Sequence, residues 1–190
     1  HRSFRCVGTI TDGAIRDGAW VAEDERMDAI NPASGQVIGN LPRSSRETAR
    51  LAIAAAKKAQ PGWAATSVWQ RAAMCVAIAA SIDRNRQKIA RTLSQEQGKP
   101  LSEAVGEVGK AADGFRLAAE LVKQLGGETL PAEDPSKLVI TIRQPRGVYA
   151  IVTPWNFPVN IPVEYLGPCV ATGNAAVWVP APTTSMAAVE

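Results

Sequence analysis

Gly147-Val148-Tyr149-Ala150-Ile151-Val152, followed at once by Thr153-Pro154-Trp155-Asn156-Phe157-Pro158, is the stretch whose reading decides the fold. The first part has the length and β-branched content of a buried strand. It stops at Pro154, whose nitrogen carries no hydrogen for a sheet ladder. A second apolar stretch covers 159–172 and closes with Gly173-Asn174. Then comes a second strand, Ala175-Ala176-Val177-Trp178-Val179, with a helix start at Thr183 or Thr184. Strand, crossover and strand in this order specify a parallel βαβ unit, because parallel strands cannot be joined by a tight turn. The expected class is α/β. Ligands of such sheets sit beyond the carboxyl ends of the strands, which directs attention to the 154–158 loop.

Working back from this unit, Gln144-Pro145-Arg146-Gly147 turns the chain out of Leu138-Val139-Ile140-Thr141-Ile142-Arg143, a β-branched strand of weaker burial behind a linker with Pro131 and Pro135. The longest helix opens at Ser102, carries Val105, Val108, Ala112, Phe115, Ala119 and Val122 on one buried face, and ends at Gly126-Gly127. Before it a helix runs to Gln97, with Gly98 as left-handed cap, Lys99 facing the carboxyl end of the dipole and Pro100 behind. A helix from 67 to about 84 is expected to bury Ala73, Val76, Ala77 and Ala80. Ser44 and Glu47 form a capping box for an alanine-rich helix that Gln60-Pro61-Gly62 should stop. Residues 8–43 read as strands and turns: Gly18-Ala19-Trp20-Val21 is extended, Asn31-Pro32-Ala33-Ser34-Gly35 turns, and Gln36-Val37-Ile38-Gly39 is extended again. Within the 159–172 crossover, Pro162 is tolerated in a first helical turn, whereas Pro168 is expected to kink a helix.

Composition narrows the function. The 190 residues are 46% hydrophobic and 21% charged, a globular balance, with a net charge of +3. No Lys/Arg cluster is interleaved with aromatics, which argues against nucleic-acid binding. No apolar run is long enough to span a membrane, and no signal-peptide pattern opens the chain. The start at His1 without Met suggests a chain that is processed, tagged or cut out of something longer. The single histidine, His1, leaves none inside the fold for a Ser-His-Asp or Cys-His arrangement or a histidine metal site. Cys6, Cys75 and Cys169 form no CxxC pair, which points to a reducing compartment such as the cytoplasm. Cys169, in the apolar crossover with no histidine or basic neighbour, reads as a buried structural thiol, Cys75 in the helical run 72–80 reads the same way, and Cys6 lies near the terminus.

Asn156 is the sharpest candidate for chemistry. An asparagine here either caps the following segment, a common turn role, or offers its amide to an oxygen that turns negative during a reaction. Trp155 and Phe157 would wall such a site.

Thr153-Pro154-Trp155-Asn156-Phe157-Pro158, with Leu166-Gly167-Pro168 and Thr172-Gly173-Asn174 after it, resembles the aldehyde dehydrogenase superfamily. So do Asn31-Pro32-Ala33-Ser34-Gly35, Pro61-Gly62-Trp63, Glu96-Gln97-Gly98-Lys99-Pro100 and Gly126-Gly127-Glu128, in family order from about Gly8 to Glu190. The resemblance implies a Rossmann-like parallel sheet with flanking helices, an incomplete cofactor-binding domain in which 159–172 is helical despite Pro168. It divides the chain into a helical part of the cofactor-binding domain (1–126), a linker and oligomerisation strand (127–146) and the first βαβ unit (147–190), with the catalytic domain absent.

The implied activity is oxidation of an aldehyde to an acid with NAD or NADP. In the family a cysteine thiolate attacks the aldehyde, hydride passes to nicotinamide, and a glutamate assists hydrolysis of the thioester. Asn156 matches the motif asparagine that helps hold the oxyanion, and Val152, Thr153, Pro154 and Trp155 match positions lining the cofactor cleft. Residues 138–145 resemble the strand that joins the oligomerisation sheet, implying a homo-oligomer. The family's cysteine, glutamate and second cofactor loop lie beyond Glu190, so the chain as given is expected not to turn over aldehyde. Val179 and Pro182 stand where the family usually has the Lys and Glu that hold the adenosine ribose. A non-catalytic dinucleotide-binding or subunit-interaction module is the alternative, and acyl-phosphate reductases or acylating dehydrogenases would keep the same fold.

Overall fold

The computed structural model describes residues 25–190, and before them only the backbone of two short antiparallel strands, β1 (Ala14–Arg16) and β2 (Ala19–Val21). The readings of His1 and Cys6 lie outside the described residues. β3 (Arg26–Ile30) and β4 (Val37–Pro42) form a hairpin whose turn uses the expected Asn31, the side chain of which accepts from the Ala33 N–H at 2.9 Å. The hairpin buries Ala29 and Leu41.

α1 (Arg46–Ala64) is capped by Ser45 rather than Ser44, the Thr48 N–H donating to its Oγ at 3.1 Å. It also runs on through Pro61, where the sequence predicts an end. Tertiary hydrogen bonds hold that last turn: Gln60 Nε2 donates to the Gly173 carbonyl at 3.0 Å and the Trp63 indole to the Val170 carbonyl at 2.9 Å.

α2 (Val68–Arg84) starts at a capping box of Ser67 and Gln70. It buries Ala72, Cys75 and Ala79, whereas the expected Ala73, Val76 and Ala77 are exposed and Ala80 is half-buried. The face is rotated by one residue because small apolar side chains surround this helix on every side and give periodicity little contrast. Arg71, in its first turn, donates from Nε to the Ala171 carbonyl at 2.8 Å.

α3 (Arg86–Gln97) ends at Gly98, whose φ of 86° is the left-handed cap expected there. α4 (Leu101–Leu121) begins just after Pro100, one residue ahead of Ser102, and passes into a short 3-10 turn (Val122–Gln124). Val108, Ala112, Phe115, Ala119 and Val122 are buried as expected, with Val105 half-buried. The strand expected over 138–143 shrinks to β6 (Val139–Ile140), paired only with β5 (Thr129–Leu130). No third strand among the described residues covers this hairpin, and Leu138 and Ile142 remain 77% and 69% exposed.

The βαβ unit is as the sequence indicates: β7 (Val148–Val152), α5 (Asn160–Ala171) and β8 (Ala175–Val179), with the strands parallel in the register Val148↔Ala175 to Val152↔Val179. α5 is continuous through Pro168. Pro168 and Glu164, whose carbonyl loses its helical donor, are both exposed, so water can serve that carbonyl. Gly173, at φ 83°, makes the turn into β8, and a Cβ there would sit 3.1 Å from Pro145 and 3.3 Å from the Ala64 backbone. Asn174 locks the two strand starts together, accepting from the Gly147 N–H at 2.9 Å. After β8, Pro182 sets a 3-10 turn (Pro182–Thr184), which delays the helix expected at Thr183 or Thr184 to α6 (Met186–Val189). The main core lies where α2, α4 and α5 meet.

Candidate functional site

The carboxyl ends of β7 and β8 lie side by side at Val152 and Val179. The Thr153 N–H donates to the Val179 carbonyl at 3.2 Å, extending the ladder one step before Pro154 ends it. Thr153 itself is buried, and its hydroxyl accepts from the Trp178 indole at 2.9 Å. What Thr153 presents at this strand end is therefore backbone. Val152 and Val179 are 76% and 48% exposed, and Pro154, Trp155, Asn156 and Phe157 are also exposed. Pro158 is fully buried, so the loop rises between two buried ends. Its tip forms an apolar ledge with one amide, that of Asn156.

The ordinary turn role for Asn156 does not fit this geometry. No side-chain hydrogen bond among the described residues engages its amide, and α5 has no side-chain cap from its own neighbourhood. Glu107 serves that helix start instead, its Oε1 accepting from the Val159 N–H at 2.9 Å and the Asn160 N–H at 3.2 Å. Its other oxygen pairs with Lys99. Lys99 does not serve the α3 dipole as its position in the sequence suggests. Its ammonium donates to the Asn156 carbonyl at 3.1 Å and lies 4.4 Å from the centre of the Phe157 ring. The side chains of Lys99 and Glu107 are only 8% and 1% exposed. A signal for this pair was present in the sequence: Glu107 lies three residues from Ala104 and four from Ala111, on the buried stripe of α4, where a carboxylate demands a partner.

A groove of about 380 Å³ lies beside Trp155, lined also by Ile30, Glu96, Thr183 and Thr184. Glu96 is buried there and accepts from the Met186 and Ala187 N–H groups at 2.7 and 3.0 Å. Burial pushes its carboxyl up to about 7 against the lowering effect of those bonds. A second groove, of about 460 Å³, follows β7 past Tyr149, Val152 and Tyr165 to Cys169. The Cys169 thiol is buried, donates to the Ala175 carbonyl at 3.4 Å and is pushed up to about 11 by burial. Burial raises the Cys75 thiol as well. Both are structural thiols. Among the described residues no group of three or more His, Cys, Asp or Glu is placed to hold a metal, and no helix is long and apolar enough to cross a membrane.

The architecture and sequence have close counterparts. The chain is 40% identical over 177 residues to glutarate-semialdehyde dehydrogenase of Pseudomonas aeruginosa, covering 92% of this chain and 37% of that protein. It superposes with a TM-score of 0.92 and 36% identity on the crystal structure of an NADP-dependent enzyme of Escherichia coli, covering 95% of this chain and 38% of the other. Betaine aldehyde dehydrogenase of Staphylococcus aureus, solved in complex with NAD+, gives a TM-score of 0.91 at 28% identity, covering 95% and 37%. The chain thus spans little more than a third of the length of these relatives. The aldehyde dehydrogenase family model matches residues 20–190, nearly the whole chain and all of the site just described, and the chain belongs to the aldehyde dehydrogenase family.

Proposed function

We propose that this chain is the N-terminal part of an NAD(P)-dependent aldehyde dehydrogenase that oxidises an aldehyde to a carboxylic acid through a cysteine thiohemiacetal, the nucleophile lying beyond the chain. The observation that carries the reading is the uncommitted, exposed amide of Asn156 on a loop fixed at both ends, at the carboxyl end of a parallel strand. As a thiolate adds to the aldehyde, the carbonyl oxygen becomes negative. An amide N–H already aimed at that oxygen stabilises the charge without reorganising. NAD or NADP, when bound, supplies the hydride acceptor.

The strand ends suit the apolar faces of such a dinucleotide. Val152, Pro154, Trp155 and Val179 form the exposed ledge, and Thr153 contributes its backbone. The adenosine half is less well served, because the side chains of Val179 and Pro182 offer a ribose hydroxyl neither donor nor acceptor. The missing acidic group also leaves a 2′-phosphate unopposed, so NADP is as compatible as NAD. The exposed hairpin of β5 and β6 would join subunits into a homo-oligomer, and the unpaired thiols suit a cytoplasmic setting. The three segments 1–126, 127–146 and 147–190 then serve as helical part, linker with oligomerisation strand, and cofactor unit.

The test is Asn156→Ala in the full-length enzyme. Turnover should fall by roughly a hundredfold, the order seen when one oxyanion donor is removed, with dinucleotide affinity retained. Turnover near wild type would overturn the assignment. A second reading, a dinucleotide-binding or subunit-interaction module without chemistry, is favoured by Val179 and Pro182. The intact mass of the protein from its natural source separates the two: a mass near 20.1 kDa supports the module, and a mass well above it supports the enzyme.

A further inference from the structure

We propose that Lys99 and Glu107 are positioning residues for Asn156, holding the loop that presents its amide. The positioning role rests on the assignment of Asn156 as oxyanion donor. Trp155, Asn156 and Phe157 are exposed, so packing does little to fix the tip of the loop. Two polar holds replace it. The Lys99 ammonium grips the Asn156 carbonyl and faces the Phe157 ring, while Glu107 Oε1 takes the N–H groups of Val159 and Asn160 just downstream. The two side chains pair with each other, so the holds move as one unit anchored on α4. Fixing the carbonyl of Asn156 fixes the peptide plane beside its Cα and with it the direction of the side chain.

A buried ion pair is a poor way to add stability, since apolar residues of the same volume often do as well or better. Its advantage is definition of geometry. An oxyanion donor must sit at about 2.7–3.1 Å from the oxygen that gains the charge, a window of a few tenths of an ångström, and a misplacement of about 1 Å can cost on the order of a hundredfold in rate.

The test uses the full-length enzyme. Lys99→Met alone strands a buried carboxylate and risks the fold, so the informative variant is Lys99→Met with Glu107→Gln. It leaves no lone charge and keeps an acceptor for Val159 and Asn160. Two readouts are needed. Backbone amide exchange at Val159 and Asn160, the N–H groups that Glu107 holds, should speed up by about tenfold or more while α3 and α4 keep their protection. The kcat should fall by roughly ten- to a hundredfold with KM for the dinucleotide within about twofold. In an Asn156→Ala background the same pair of changes should cost less than about threefold, because there is no amide left to misplace.

Unchanged exchange at these two amides, or losses that multiply in full on the Asn156→Ala background, would overturn the positioning role. Near wild-type turnover of Asn156→Ala alone overturns the catalytic assignment instead. The exchange measurement does not depend on activity, so the two failures are told apart.

Discussion

The helical layer and the strand ends of this molecule are built on opposite plans. Where α2, α4 and α5 meet, Cys75, Ala79, Ala111 and Ala112 are completely buried, and Phe115 fills the space between small neighbours. In the parallel pair, Ile151 is the one buried residue of β7, and β8 has none. Parallel sheets normally bury both faces, so the pair is covered incompletely by the described residues. The contrast separates the stable core from the candidate site. The helical layer is held by its own packing. The site rises from a thinly covered edge and owes its shape to polar groups: Trp178 on Thr153, Lys99 on Asn156, and Glu107 on the first amides of α5.

The largest effect expected of this division is on the helical side. Phe115→Ala should lower unfolding free energy by about 3–5 kcal/mol, as large-to-small core changes do. A loss under about 1 kcal/mol in a denaturant melt would mean that the helical layer is not the stabilising half.

Next comes the seam between the regions, where Glu96 of α3 meets the start of α6. Its carboxyl titrates near 7 in the folded chain against an ordinary 4.5, with burial as the main cause. The folded state therefore holds this proton more tightly than the unfolded chain. The stabilisation is fully present below about 4.5 and is lost as pH rises through about 7, a change of roughly 3 kcal/mol. Glu96→Gln should flatten that part of the stability–pH curve. A slope that survives the substitution would assign the proton elsewhere.

The smallest effect is expected at the strand end. Val152→Ala, at a side chain 76% exposed, should change stability by no more than about 0.5 kcal/mol. A cost of 2 kcal/mol or more would show that the ledge is packed and would erase the contrast.

Much of the βαβ unit was legible because its signals are local: two apolar runs of strand length, a glycine that must turn and an asparagine that closes. The same holds for α4, whose apolar spacing is strong, and for the Gly98 cap. Errors came where local signals are weak or distant contacts decide. Alanines around α2 left its buried face ambiguous by one residue. Pro61 should have ended α1, but hydrogen bonds to residues of α5 and its turn carry the helix past it. The strand over 138–143 has the composition for its role without a partner among the described residues beyond Thr129–Leu130. At the site, the motif singles out Asn156 as a candidate, whereas no local signal joins Lys99 to the Asn156 carbonyl or Glu107 to the start of α5. These contacts are a meeting across 52 or more residues of sequence, which no local pattern records.

The bonds at the end of α5 also bear on the order in which this chain acquires its structure. α1 buries no residue completely, and its last turn is tied down by Gln60 and Trp63, bonded to carbonyls 113 and 107 residues later. Arg71 reaches 100 residues ahead in the same way. Contacts of such separation form late, after nearer ones have drawn the chain together. During synthesis α1 leaves the ribosome before α2, α3 and α4 yet settles later, waiting for residue 173 while those three can already pack behind it.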